Sequence, residues 1–447
     1  MIVMKFGGTS VENATAIDRS CAIVAERISR RPLVVVSALG GATNDLLEAG
    51  RLASGRQLER ALAIADKLEA RHVELLPATA NDFARLKELL RALSAIGEFS
   101  TRTQDLVASY GEALSSQIFA RRMNLLGHAA VHVDARQVMI TDDTFGKAMP
   151  IPEITATRLE EFVRPHISTG KVVVMGGYIG STTSGLTTTL GRGGSDYTAA
   201  IVGAAMNAEE IQIWTDVDGM MTADPRIVPT ACKVKEISFN EAAELAYFGA
   251  KVLHPLTVLP AVEKDIPVLI LNSRKPSGTG TRIIREARPT ANPIKSIACK
   301  RGITVVTISS SRMLMAHGFL RALFEVFDRH RTAVDMVATS EVSVSLTLDT
   351  TASLPAILEE LRPLGDVAVM NNLALICLVG NNLKFTPGIA HKAFASVKDI
   401  NILMVSHGAS NINLSFIVAE PDANAAVRQL HAELFREFDP EVFEASA

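Results

Sequence analysis

From Met1 to about Thr290, short β-branched apolar runs alternate with amphipathic stretches of helix length. Strand runs that alternate with helices form a mostly parallel sheet with helices on both faces, because each parallel crossover needs a long return. The clearest runs are Ile2 to Phe6, Leu33 to Ser37, Ala129 to Val133, Lys171 to Met175, Glu210 to Trp214 and Pro267 to Leu271, each bounded by Gly, Pro or polar residues. The expectation is an α/β sandwich. The stretch Arg56 to Arg122 breaks the rhythm: rich in Ala, Leu, Glu, Arg and Gln, it reads as a helical insertion beside the active site.

The 447 residues exceed what one core usually serves, so two or three domains are expected. A boundary falls in the Arg- and Pro-rich stretch Arg285 to Pro293. Beyond it lies an internal repeat. Val334 to Val337 precedes the alternating run Val342 to Leu348, as Ile402 to Val405 precedes Ile412 to Val418. A helical stretch comes before each pair (Phe319 to Arg331, Pro387 to Lys398) and another after it (Leu354 to Leu361, Ala423 to Phe435). Each unit reads as βαββαβ, so two ferredoxin-like modules fit the tail.

Bulk properties exclude several classes. A net charge of -3 without a basic patch argues against nucleic acid and against a polybasic membrane address. No apolar run approaches bilayer length, and the N-terminus enters a strand at once, so a cytoplasmic protein is expected. Cys21, Cys232, Cys299 and Cys377 lack CxxC pairing, which argues against a zinc site and a disulfide framework. No residue is singled out as a metal ligand, and the expected partners are small molecules and further copies of the chain.

Four segments carry chemistry. The first strand runs into Lys5-Phe6-Gly7-Gly8-Thr9-Ser10, where adjacent glycines let backbone amides approach an anion beside a built-in cation. Alone, such a Gly-Gly is more often a tight βα turn. The spacing is neither that of a P-loop nor that of a dinucleotide fold. Thr188 to Tyr197 (TTLGRGGSDY) again leads into an apolar helix, whose positive end and Arg192 suit a carboxylate or phosphate. Trp214 to Gly219 and Ala223 to Arg226 follow a strand, where α/β sheets bind ligands, although Asp and Gly are also ordinary turn residues. Phe248 to Pro255 adds a lysine in a Gly-containing turn.

In their order, these segments resemble the aspartokinases of the amino-acid kinase family, and the likeness extends over the tail. It implies a three-layer α/β/α sandwich in residues 1–290, followed by two ferredoxin-like ACT modules, 298–370 and 371–441, which the family often interleaves. The implied reaction is ATP-dependent phosphorylation of L-aspartate, with magnesium. By the resemblance, Lys5 contacts the transferring phosphate, Gly7, Gly8 and Thr9 hold phosphate oxygens, and Asp196 is catalytic. Arg192 takes the substrate's α-carboxylate and Glu112, in Tyr110-Gly111-Glu112, lies near its ammonium. Ser37, Thr43 and Ser195 complete the pocket. Thr215, Asp216, Met221, Arg226 and Lys251 fall where the family contacts the nucleotide, Met221 standing where many relatives carry tyrosine.

The ACT resemblance further implies an amino-acid effector and a homodimer or larger homo-oligomer paired through the modules. Met313, Gly318, Phe319, Leu320, Asp335, Thr339, Ser340 and Glu341 match the effector pocket of the lysine-sensitive type, with Asp335 and Glu341 placed to pair with a cationic amino acid. Met315 and Ala316 stand where such relatives often carry polar residues. Another amino-acid kinase, acting on glutamate or acetylglutamate, and a catalytically silent amino-acid sensor are the alternatives. Tyr110-Gly111-Glu112 and the tail speak against the first. Intact Lys5, Arg192, Asp196 and Lys251 speak against the second.

Overall fold

The six strand runs read from the sequence are six consecutive neighbours of one sheet. In the computed structural model, which describes all residues except 249–254, 289, 291, 314–316, 438 and 446–447, this sheet has eight strands. Their order is Glu236–Ser238, Thr281–Ile284, Val268–Asn272, Glu210–Thr215, Ile2–Phe6, Pro32–Val36, Val172–Gly176 and Ala130–His132. The last six pair in parallel throughout, and only Thr281–Ile284 against Val268–Asn272 is antiparallel. The central strands are buried along their whole length, which is why they read as unbroken apolar runs.

The two-residue period of a strand sorts their side chains between two faces. Ile2, Met4, Phe6, Val34, Val36, Val172 and Val174 enter one core with the helices Ala14–Ala25, Ala42–Ser54, Leu58–Leu75, Ala80–Ile96 and Thr101–Leu125. The last three of these are the expected helical insertion. Lys5, between Met4 and Phe6, belongs to the opposite face, where the helix Gly194–Ala205 packs over Ile2–Phe6 and Glu210–Thr215. The result is the three-layer α/β/α sandwich. A small three-stranded sheet of Ile140–Thr141, Ile179–Thr182 and Thr187–Thr189 was not read from the sequence, because strands of two to four residues leave no periodic signal.

The chain divides into two units. The first comprises Met1–Met220, Lys235–Phe239 and Val252–Ala287, the second Met221–Val234, Asn240–Lys251 and Arg288–Ala447. Two stretches before residue 290 therefore cluster with the tail. One reason is a fully buried ion pair, Lys295 Nζ to Glu241 Oε2 at 3.1 Å, joining the helix Phe239–Tyr247 to the strand Ile294–Ser309.

The second unit is built on a six-stranded antiparallel sheet in the order Val337–Thr339, Ser343–Leu348, Ile294–Ser309, Asp366–Gly380, Asn413–Ala419 and Met404–His407. Its two long central strands serve both ferredoxin-like halves. Helices Phe319–Arg329 and Leu354–Leu361 pack on Val306, Ile308, Val344 and Leu346, and helices Ile389–Ser396 and Ala423–Leu434 pack on Ile294, Ile297, Leu378 and Phe416. The first residues of Ile294–Ser309 pair with the end of Asp366–Gly380, completing the half that follows in sequence. The first strand of each repeat pair lies two or three residues later than expected. At Val334 to Val337 the reason is local: Asp335 and Met336 both pair with Thr347, Asp335 donating to its carbonyl at 3.1 Å and Met336 accepting from its amide at 3.0 Å, a bulge that delays the regular ladder. Among the described residues no helix is long and apolar enough to cross a membrane.

Candidate active site

Parallel sheets leave their ligand crevice at the carboxyl ends of the strands. There the first unit has a cavity of about 590 Å³, bordered by Lys5, Gly8, Ser37, Thr43, Glu112, Arg192, Ser195 and Asp196. These eight, drawn from four distant sequence segments, were all singled out from the sequence. Gly146, Tyr178 and Asn44 also line the cavity and were missed. Tyr178 had a signal, since it follows Gly176-Gly177 at a strand end and takes the left-handed φ of 64°.

Each element delivers its residue for a local reason. Lys5 projects from the strand face covered by Gly194–Ala205, so its Nζ meets Asp196 in that helix's first turn, 2.6 Å from Oδ1. The contact is a close ion pair that occupies Oδ1. Gly193 precedes the helix with φ 73° and offers no side-chain cap, and the first-turn residues Gly194, Ser195 and Asp196 line the cavity. The helix Ala42–Ser54 likewise starts from an uncapped, left-handed Gly41. Two positive helix ends, the Gly7-Gly8 turn and Lys5 thus converge on one cavity. Arg192 is exposed and, among the described residues, has no ion-pair partner.

Glu112 is the opposite charge in this setting. It is 4% exposed, its carboxylate accepts from the Ala38 amide, and Oε2 has no hydrogen-bond partner. Burial pushes its pKa up to about 8, against the backbone bonds and the Lys5 charge, which lower it. A buried carboxylate with an open oxygen suits a cation brought by a ligand.

Close packing holds Glu112 in place. A Cβ on Gly111 would lie 2.7 Å from Ala38 Cβ, so only glycine lets the helix Thr101–Leu125 approach the strand end this closely. Gly111→Ala is expected to push Glu112 off the Ala38 amide and lower kcat/KM for the amino-acid substrate by roughly tenfold or more. Steady-state kinetics on the purified variant check this, and an unchanged value would refute it.

Other expected residues lie elsewhere. Gly7 sits beside Lys5 Nζ, and its amide donates to the Trp214 carbonyl. Thr9 lies in the short turn Gly8–Ser10. Thr215 ends its strand, its hydroxyl 3.3 Å from Asp216 Oδ1. Met221 and Arg226 belong to the second unit, where Arg226 is paired with Asp224 at 2.6 Å. Lys251, like Met315 and Ala316, lies outside the described residues.

The expected effector residues lie in the second unit, spread over several of its elements. Gly318, with φ 86°, precedes the helix Phe319–Arg329; Met313 ends a short turn, and Leu320 is exposed. Thr339, Ser340 and Glu341 are exposed at a hairpin tip. Asp335 is already bound, accepting from the Tyr247 hydroxyl and lying 3.4 Å from Lys300 Nζ.

The model of the Amino acid kinase family matches residues 1–272, and that of the ACT domain matches residues 376–434. The chain is 40% identical over 460 residues to lysine-sensitive aspartokinase 3 of Escherichia coli, covering 97% of this chain and 99% of that one. It is 38% identical to the chloroplastic aspartokinase 2 of Arabidopsis thaliana, covering 98% and 85%. Its structure is similar to that of E. coli aspartokinase III in complex with lysine and aspartate, T-state (TM-score 0.83, 40% identity, covering 97% and 99%). It is also similar to the R-state of that protein with aspartate and ADP (TM-score 0.82, 39% identity, covering 97% and 100%).

Proposed function

The chain belongs to the aspartokinases of the amino acid kinase family, and from that premise we propose how its residues transfer the γ-phosphoryl group of ATP to the side-chain carboxylate of L-aspartate, giving ADP and 4-phospho-L-aspartate. The observation that carries the account is one cavity in which the Lys5–Asp196 pair, Arg192 and two uncapped helix ends face the buried Glu112, one of whose oxygens has no hydrogen-bond partner. That charge pattern fits a zwitterionic substrate with an extra carboxylate. Arg192 takes the α-carboxylate as a bidentate fork, Glu112 the ammonium, and Ser37, Thr43 and Ser195 border the substrate.

The nucleophile is already ionised near neutral pH, so the chain supplies no general base. Its task is to bring two anions together and neutralise the charge spread over the transferring group. Lys5, Gly8 and Thr9 hold phosphate oxygens, Gly7 shapes the turn while its amide stays on the Trp214 carbonyl, and Asp196 orients the Lys5 ammonium. Thr215 and Asp216, at the end of the strand Glu210–Thr215, hold the nucleotide, an assignment supported by the family likeness.

Magnesium fits as an ion carried by the triphosphate. Among the described residues no group of three His, Cys, Asp or Glu side chains forms a cage, and Asp196, which borders the cavity, would help hold the ion. When bound, the ion supplies charge neutralisation at the β- and γ-phosphates.

The tail supports regulation by an amino acid, lysine favoured, because the E. coli neighbour is a lysine complex. An effector ammonium reaches Asp335 only by displacing Lys300, which also pairs with Asp349 at 2.9 Å. Pairing of copies is supported by the exposed apolar Val337, Val342, Leu320 and Phe324, two of which flank an edge of the sheet. A cytoplasmic location accords with substrates made and used there.

A hydroxamate assay tests the reaction, because hydroxylamine traps an acyl phosphate. Product is expected from aspartate and not from glutamate or acetylglutamate, and inhibition is expected on adding lysine rather than threonine or methionine. In the same assay Arg192→Ala should raise the KM for aspartate by roughly tenfold to hundredfold and leave that for ATP nearly unchanged.

A further inference from the structure

The helix Thr101–Leu125 carries a second buried acid. Asp105 is 2% exposed and precedes Glu112 by seven residues, two helical turns, so the two acids share one face about 10 Å apart along the axis. Asp105 does not line the cavity. Its Oδ1 accepts from Thr189 Oγ1 at 2.6 Å, and its Oδ2 accepts from the amides of Thr189 at 3.0 Å and Gly146 at 2.9 Å. Burial raises its pKa, and these three donors oppose the rise.

Both partners border the Arg192 loop. Thr189 ends the strand Thr187–Thr189, three residues before Arg192. Gly146 lines the cavity, and its carbonyl lies 3.2 Å from where a Cβ on Gly191 would stand. The two segments are also joined directly, Ala148 donating its amide to the Thr189 carbonyl at 2.8 Å. One carboxylate thus fastens both strands of backbone beneath the loop to a rigid helix, and that helix also carries Glu112.

We propose that Asp105 is a positioning residue that sets the distance between Arg192 and Glu112, and so fixes how well the site grips the α-carboxylate and α-ammonium of its amino-acid substrate. This rests on the reading that Arg192 and Glu112 hold those two groups. An acid at this place costs burial and gains nothing at the surface, whereas a clamp on the Arg192 loop accounts for all three of its bonds. Asparagine is nearly the same shape but directs an amide donor at one of three donors, so the clamp loosens while the core stays filled.

Kinetics of Asp105→Asn, Thr189→Val and Thr189→Ser test this, with Arg192→Ala as control. Asp105→Asn is expected to raise the aspartate KM by roughly tenfold to hundredfold, leaving the ATP KM within about twofold. Thr189→Val should raise it less, and Thr189→Ser, which keeps the hydroxyl, should restore near-normal values. The double variant Asp105→Asn with Thr189→Val should be no worse than Asp105→Asn alone. If Asp105→Asn does not fold, Thr189→Val against Thr189→Ser carries the test. An unchanged aspartate KM, or equal rises for aspartate and ATP, overturns the proposal. If Arg192→Ala also leaves the aspartate KM unchanged, the reading of the substrate site falls with it; if only Arg192→Ala raises it, the clamp alone is wrong.

Discussion

Lys5→Ala is expected to lower kcat by roughly 10²–10³-fold, the cost typical of removing one preorganised charge from a transition state. The reaction makes this residue dominant. Both reactants are anionic, and no proton has to be moved for the carboxylate to attack. The barrier is set by charge held at the right points, and Lys5 is the buried cation of the cavity, 8% exposed. The fold should survive, because the core atoms of that strand belong to its neighbours Met4 and Phe6, which pack on the other face. Asp196 loses its partner but borders the cavity and regains water. The ADP release rate, measured with a coupled assay on a variant of normal thermal stability, checks the prediction. A rate within about tenfold of the parent would remove Lys5 from the mechanism.

That prediction was available from sequence because the strand Ile2 to Phe6 and its Gly-Gly turn are local features. A fully buried parallel strand must be an apolar run, and a lysine inside it is conspicuous. The same logic made the other buried strands of that sheet legible. What was illegible is long-range or too short to have a period. Asp105 shows this most clearly: on the helix Thr101–Leu125 it resembles any solvated acid, and its burial depends on Thr189 and Gly146 coming from residues 41 to 84 positions away. Glu112 reads the same way locally and was reached only through the family likeness. The allegiance of Asn240–Lys251 to the second unit was hidden too, since the Glu241 to Lys295 pair joins residues on either side of the apparent linker.

Glu112 gives the second large effect, and its signature is pH. Two buried acids share one helix face, but Asp105 has three donors and Glu112 receives only backbone bonds from Ala38 and from its own amide. Burial therefore wins at Glu112, and its pKa in the free enzyme is pushed up to about 8. The ammonium of aspartate binds the ionised form, so binding must expel a proton wherever the free enzyme holds one. Below about pH 8 the free acid is mostly protonated, and the aspartate KM should fall by about tenfold for each unit rise in pH, levelling off above that value. The ATP KM should not follow this slope. Glu112→Gln keeps the shape, removes the titration, and leaves the ammonium without a counter-charge. Its aspartate KM should be raised by roughly 10²-fold and be flat between pH 6 and 8. A slope that persists in Glu112→Gln would place the titrating group elsewhere, and a parent enzyme without the slope would show that Glu112 is ionised before aspartate arrives.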